Sequence, residues 1–132
     1  MSFLNKIFGS SENEKAEESY VKPKFYTLTG IEEFETIDAI SYEKSVVLFK
    51  HSTRCSISRF VLKRFDAEYD FSEEQMNWYL LDLLNYRDVS NEIARRYSIE
   101  HQSPQIIVVR NGKAVFNTSH DSIDFSDLKQ FV

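Results

Sequence analysis

Cys55 is the sole cysteine of this 132-residue chain, and Ser58 follows it by three residues. The run around them is Phe49-Lys50-His51-Ser52-Thr53-Arg54-Cys55-Ser56-Ile57-Ser58. A thiolate can attack a disulfide, and the thiolate, not the thiol, is the nucleophile. On a helix, Ser58 shares a face with Cys55 and can donate its hydroxyl hydrogen to the sulfur. From Lys50 through Phe65 the basic residues are Lys50, Arg54, Arg59, Lys63 and Arg64, with no Asp or Glu among them. That local field favours an anion. A free cysteine more often serves as a small, inert, buried hydrophobe. Here the polar neighbours Arg54 and Ser56 favour a reactive thiol.

The elements that must hold this run are legible on either side. Val46-Val47-Leu48-Phe49 is an apolar, partly β-branched run bounded by polar residues, which predicts a buried strand. After the cysteine, Ile57, Phe60, Val61 and Phe65 recur at helical spacing, with no Gly or Pro between them. Cys55 therefore falls where a strand hands over to a helix. The unpaired N–H groups and positive dipole end of a helix N-terminus suit a thiolate.

The totals narrow the class. Lys and Arg number 16 against 21 Asp and Glu, a net charge of −5, which argues against broad nucleic-acid or anionic-membrane binding. A single cysteine excludes an internal disulfide and a multi-cysteine metal site, and leaves mixed disulfides with small thiols or other proteins. No apolar run approaches a membrane span, and no cleavable signal is evident, so a cytoplasmic protein is the expectation.

Residues 1–22 read as an N-terminal extension and 23–132 as one domain. Phe3, Leu4, Ile7 and Phe8 form a short apolar cluster, and residues 9–19 are a Ser/Glu-rich linker. Phe25 to Leu28 predicts a strand, and Thr29-Gly30-Ile31-Glu32 a capping box. The next helix carries Ile31, Phe34, Ile37 and Ile40 on its apolar stripe. Asn77 to Leu84 is almost continuously apolar, as a central parallel strand would be. Val89, Ile93 and Tyr97 mark a further helix. Ile106–Val109, Asn111-Gly112 and Lys113–Phe116 predict a hairpin. Asp124 should cap a last helix carrying Phe125, Leu128 and Phe131. Alternation of strands and helices gives an α/β fold with a mixed sheet of four or five strands, flanked by helices on both faces.

This layout resembles the thioredoxin fold. Cys55-Ser56-Ile57-Ser58 lies where thioredoxins carry Cys-x-x-Cys. Ser103-Pro104 before Gln105–Gly112 is similar to their cis-proline and following hairpin, and Asp124–Val132 to their closing helix. More narrowly, His51–Ser58 and Ser119-His120-Asp121 resemble the YtxJ-type monothiol bacilliredoxins. The sequence departs from that family in having Ser56 where Pro is usual and Arg54 where Thr is usual. Phe49 stands where ordinary thioredoxins bury an acid, and Ser58 excludes two-cysteine reduction.

The resemblance implies a monothiol thiol–disulfide oxidoreductase. Cys55 would remove a small thiol from a mixed disulfide on a protein, and a second reductant would free it. The implied small thiol is bacillithiol, a co-substrate rather than a bound cofactor, whose malate carboxylates suit Lys50, His51 or Arg54. Partners would be bacillithiolated proteins. Thr53 belongs to the same motif. A cis Pro104 would expose the backbone of Ser103 to an extended substrate, and His120 is a further candidate contact. His101 reads as a surface residue. The alternative is a non-catalytic thioredoxin-like binding module with a vestigial cysteine. An iron–sulfur role like that of monothiol glutaredoxins ranks below both, because the tetrad lacks their Gly-Phe.

Overall fold

The structure, a computed structural model, describes residues 24–132. The expected extension at 1–22 lies outside the described residues. Five strands form one sheet: β1 (Tyr26–Thr27), β2 (Ser45–His51), β3 (Met76–Asp82), β4 (Gln105–Arg110) and β5 (Lys113–Ser119). Their order is β1-β3-β2-β4-β5. β3 pairs parallel with both β1 and β2, whereas β2–β4 and β4–β5 are antiparallel. The helices are α1 (Glu33–Ser41), α2 (Ser56–Glu68) and α3 (Arg87–Tyr97), with 3₁₀ helices at His120–Ser122 and Phe125–Phe131.

Every residue of β2 is buried. A strand covered on both faces loses the polar alternation of a half-exposed one, which is why it reads as an apolar run. Val46 and Leu48 pack with Phe34 and Ile37 of α1 and Val89, Ile93 and Tyr97 of α3. Val47 and Phe49 pack on the other face with Val61 and Phe65 of α2, and with Phe125 and Leu128. Successive side chains point to opposite faces. That alternation continues to the strand's end and sends Lys50 and His51 to opposite sides of the sheet.

Several expectations hold with changes. The hairpin turns on Asn111 (φ 54°) and Gly112 (φ 74°), the positive-φ pair its sequence predicts. Its second strand runs three residues beyond Phe116, to Ser119. Glu33, not Glu32, caps α1: its carboxylate accepts from the Thr29 and Gly30 N–H groups, both at 3.0 Å. The helix begins at Glu33, so the side chain reaching back over the entry turn belongs to that residue. Ile57 and Phe60 are 41% and 63% exposed, and the buried face of α2 runs through Ser58, Val61 and Phe65. Asp124 caps the last helix by accepting from Ser126 N at 2.9 Å, but that helix is 3₁₀ rather than α.

Candidate active site

β2 ends at His51, and a tight turn closed by Cys55 N–H donating to the Ser52 carbonyl (3.2 Å) leads into α2. Cys55 is the N-cap residue, in extended conformation (φ −100°, ψ 123°), and is half-buried. Its carbonyl accepts from Arg59 N–H at 3.1 Å, the first helical bond of α2. The Cys55 side chain makes no capping hydrogen bond among the described residues, and no acid lies in the first turn of the helix. The sulfur thus sits at a helix end whose unpaired N–H groups and dipole favour an anion. Arg59 also donates to the Thr53 carbonyl (3.1 Å), bracing the loop against α2.

Ser58 is fully buried one turn along. Its Oγ accepts from Ser52 N–H at 3.0 Å and lies 2.7 Å from His51 Nδ1. The expected hydrogen bond from Ser58 to the Cys55 sulfur is not formed among the described residues, because β2 delivers the His51 ring to that hydroxyl instead. With the His51 proton on Nε2, Ser58 donates to Nδ1. With it on Nδ1, Ser58 accepts that bond and its own hydrogen is not used in it. Burial first, and the Arg59 charge after it, hold the His51 imidazolium below its usual range, with Asp82 opposing them. His51 is therefore largely buried and braces Ser58, with an edge on a cavity that it lines with Arg59 and Lys63.

Lys50 also departs from expectation. It is wholly buried, and burial lowers its ammonium from 10.5 to about 8. Its Nζ lies 2.6 Å from His101 Nδ1. A lysine inside the sheet's cover cannot meet a ligand carboxylate, so the substrate contact expected of Lys50 is withdrawn. His101, expected to be a plain surface residue, is its partner. The His101 imidazolium is disfavoured by burial first, then by Lys50 and Arg87.

Thr53 and Arg54 stay exposed beside the cysteine. They line a cavity of about 400 Å³ with Leu84, Asn85 and Arg87, from the loop after β3 and the start of α3. β2 and β3 are parallel, so the loops leaving their C-terminal ends emerge side by side. Ligands of open α/β sheets gather outside the carboxyl ends of the strands. Sequence reasoning missed Asn85 and Arg87, although this pairing rule could have pointed to the residues after Asp82.

On the other side of β2, the Ser103–Pro104 bond is cis and Pro104 is buried. His120 N–H donates to the Pro104 carbonyl at 2.8 Å, which ties the turn at His120 (φ 57°) to this loop. The His120 ring is exposed to solvent with no hydrogen bond among the described residues. The Ser103 hydroxyl oxygen is buried without a hydrogen-bond partner among the described residues. Among the described residues no group of three or more His, Cys, Asp or Glu side chains could hold a metal ion. No helix there is long and apolar enough to cross a membrane.

Comparison with known proteins gives the family and the fold. The family model for the monothiol bacilliredoxin BrxC matches residues 26–128. A solved structure described as a proposed oxidoreductase with a thioredoxin fold is 34% identical, with a TM-score of 0.68, covering 81% of this chain and 92% of its own. A thioredoxin from Malassezia sympodialis is 16% identical (TM-score 0.64; 84% and 91% covered). Spinach chloroplast thioredoxin f is 13% identical (TM-score 0.60; 85% and 93% covered). The last two show the fold alone.

Proposed function

The chain belongs to the monothiol bacilliredoxin BrxC family, a family of thiol redox proteins, and on that premise we propose that Cys55 removes bacillithiol from mixed disulfides on proteins. The observation that carries this reading is the placement of the sole cysteine. It is half-buried at the N-cap of α2, with Ser58 where a resolving cysteine would stand.

The Cys55 thiolate attacks the small-thiol sulfur of a protein–S–S–R disulfide. A new S–S bond joins Cys55 to R, the S–S bond between the protein and R breaks, and the protein leaves as its thiolate. Ser58 cannot displace R, so a second thiol must attack the Cys55 disulfide and leave joined to R, returning the Cys55 thiolate. A cytoplasmic setting would supply that thiol. The Ser103 backbone, which makes no hydrogen bond among the described residues, and the exposed His120 suit contact with the substrate's chain, and Thr53 and Arg54 border the thiol. The proposal carries no resident cofactor.

Intact mass tests it. A protein carrying a bacillithiol mixed disulfide is mixed with the wild-type chain, and the bacillithiol mass should move onto Cys55. Cys55→Ser should receive none. If the wild-type chain takes up no small thiol from this or any other disulfide near neutral pH, the cysteine is inert and the binding-module alternative stands instead.

A further inference from the structure

Arg54, in the loop after β2, and Arg87, the first residue of α3, line one cavity, and among the described residues neither guanidinium forms an ion pair or hydrogen bond. The arginines at the other end of α3 behave differently. Arg95 bonds Glu92, and Arg96 bonds both Asp38 (2.9 Å) and Glu92 (3.2 Å). On a chain of net charge −5, two neighbouring guanidinium groups without counter-ions are conspicuous. The cavity is lined otherwise by Thr53, Leu84 and Asn85, with no carboxylate among them.

We propose that this cleft is an anion subsite beside Cys55, in which Arg54 and Arg87 hold the carboxylates of the small thiol during exchange. The proposal rests on the thiol-transfer reading above and adds Arg87 to it as a specificity-determining residue. At about 400 Å³ the cleft falls within the range of small-molecule sites. Its walls are set before a ligand arrives. Asp82 accepts from Leu84 N–H (3.2 Å) and from Asn85 Nδ2 (2.7 Å), and its carbonyl accepts from Tyr86 N–H (3.1 Å). The opposite wall is held by Arg59 on the Thr53 carbonyl. A guanidinium offers planar, paired donors that match a carboxylate, and one from each wall matches a ligand with two. Arg54 is joined to Cys55 through one peptide bond, so a thiol anchored there presents its sulfur near the reacting atom.

The test is the rate of Cys55 mixed-disulfide formation with two probes: oxidised bacillithiol and the neutral 2-hydroxyethyl disulfide. Both guanidinium groups are exposed, so Arg87→Ala should slow the bacillithiol probe by roughly two- to fivefold, as should Arg54→Ala. The neutral probe should change less than about twofold, and salt at about 0.5 M should narrow the difference. Arg87→Lys should recover part of the rate. Equal slowing of both probes by Arg87→Ala, or slowing of neither, overturns the subsite while leaving thiol exchange at Cys55 standing. Failure of the wild-type chain to react with either probe overturns the exchange reading and the subsite together.

Discussion

Lys50→Met should remove a pH dependence that the buried ammonium imposes on stability. Lys50 is wholly buried in β2, and burial holds it near about 8 against 10.5 for a free side chain. Between those values the unfolded chain binds the proton and the folded chain releases it. Stability therefore rises with pH across that window, and below it the cost of enclosing the charge is present in full. At about 1.4 kcal/mol per decade, the gap corresponds to roughly 3 kcal/mol near neutral pH. By about pH 10 less than about 1 kcal/mol should remain. Methionine keeps an unbranched stem and carries no charge. The variant should be favoured relative to wild type at about pH 7, and that advantage should shrink by roughly 2–3 kcal/mol by about pH 10. Losing the 2.6 Å contact to His101 shifts the whole difference but not its slope. Urea unfolding followed by the fluorescence of Trp78 measures it, as a change of roughly 1–2 M in the midpoint difference. Tyr69 and Tyr97, whose phenols burial pushes up, titrate in both proteins and cancel. A midpoint difference that stays constant from about pH 7 to pH 10 would refute the reasoning.

Two further predictions concern Ser58. Ser58→Ala leaves the Ser52 N–H and the His51 ring without their buried partner, and should cost roughly 1–3 kcal/mol in urea unfolding. An unchanged midpoint would show that water replaces the hydroxyl. Ser58→Cys places a second thiol one turn from Cys55 and should yield no free thiol after mild oxidation. Two free thiols, with Cys55 still open to mixed disulfides, would mean the side chain at 58 stays turned toward His51.

The fold was legible because its strongest signals are local. Continuous apolar runs marked β2 and β3, spacing by four marked α3, and Asn111-Gly112 fixed the hairpin. The misreadings arose where a tertiary partner decides. Ile57 and Phe60 fit a helical stripe, but the sheet meets α2 through Ser58, Val61 and Phe65, so those two face solvent. Nothing local says that a serine points inward there, because its reason is the His51 ring and the Ser52 N–H. The capping carboxylate moved from Glu32 to Glu33 because helix starts are fixed by the whole entry turn.

The basic residues show how a single strand redistributes a cluster that looks unified in sequence. Lys50, His51 and Arg54 lie within five positions and read as one positive patch around the thiol. Alternation along β2 breaks that patch apart. Lys50 goes to the α3 side and meets His101, and His51 goes to the α2 side and meets Ser58. Arg54 lies beyond the strand, where alternation no longer applies, and of the three it alone stays exposed beside Cys55. The charge that joins it comes from 33 residues further on, since parallel pairing of β2 and β3 brings their outgoing loops together. The meeting of Arg54 and Arg87 on one cavity is therefore a property of sheet topology. A substitution at Arg87 should be felt at Cys55 more than one at Lys50, although Lys50 is far closer in sequence. Comparing bacillithiol transfer by Arg87→Ala and Lys50→Met, both checked for folding, measures that ordering directly, and a greater loss of selectivity in Lys50→Met would contradict it.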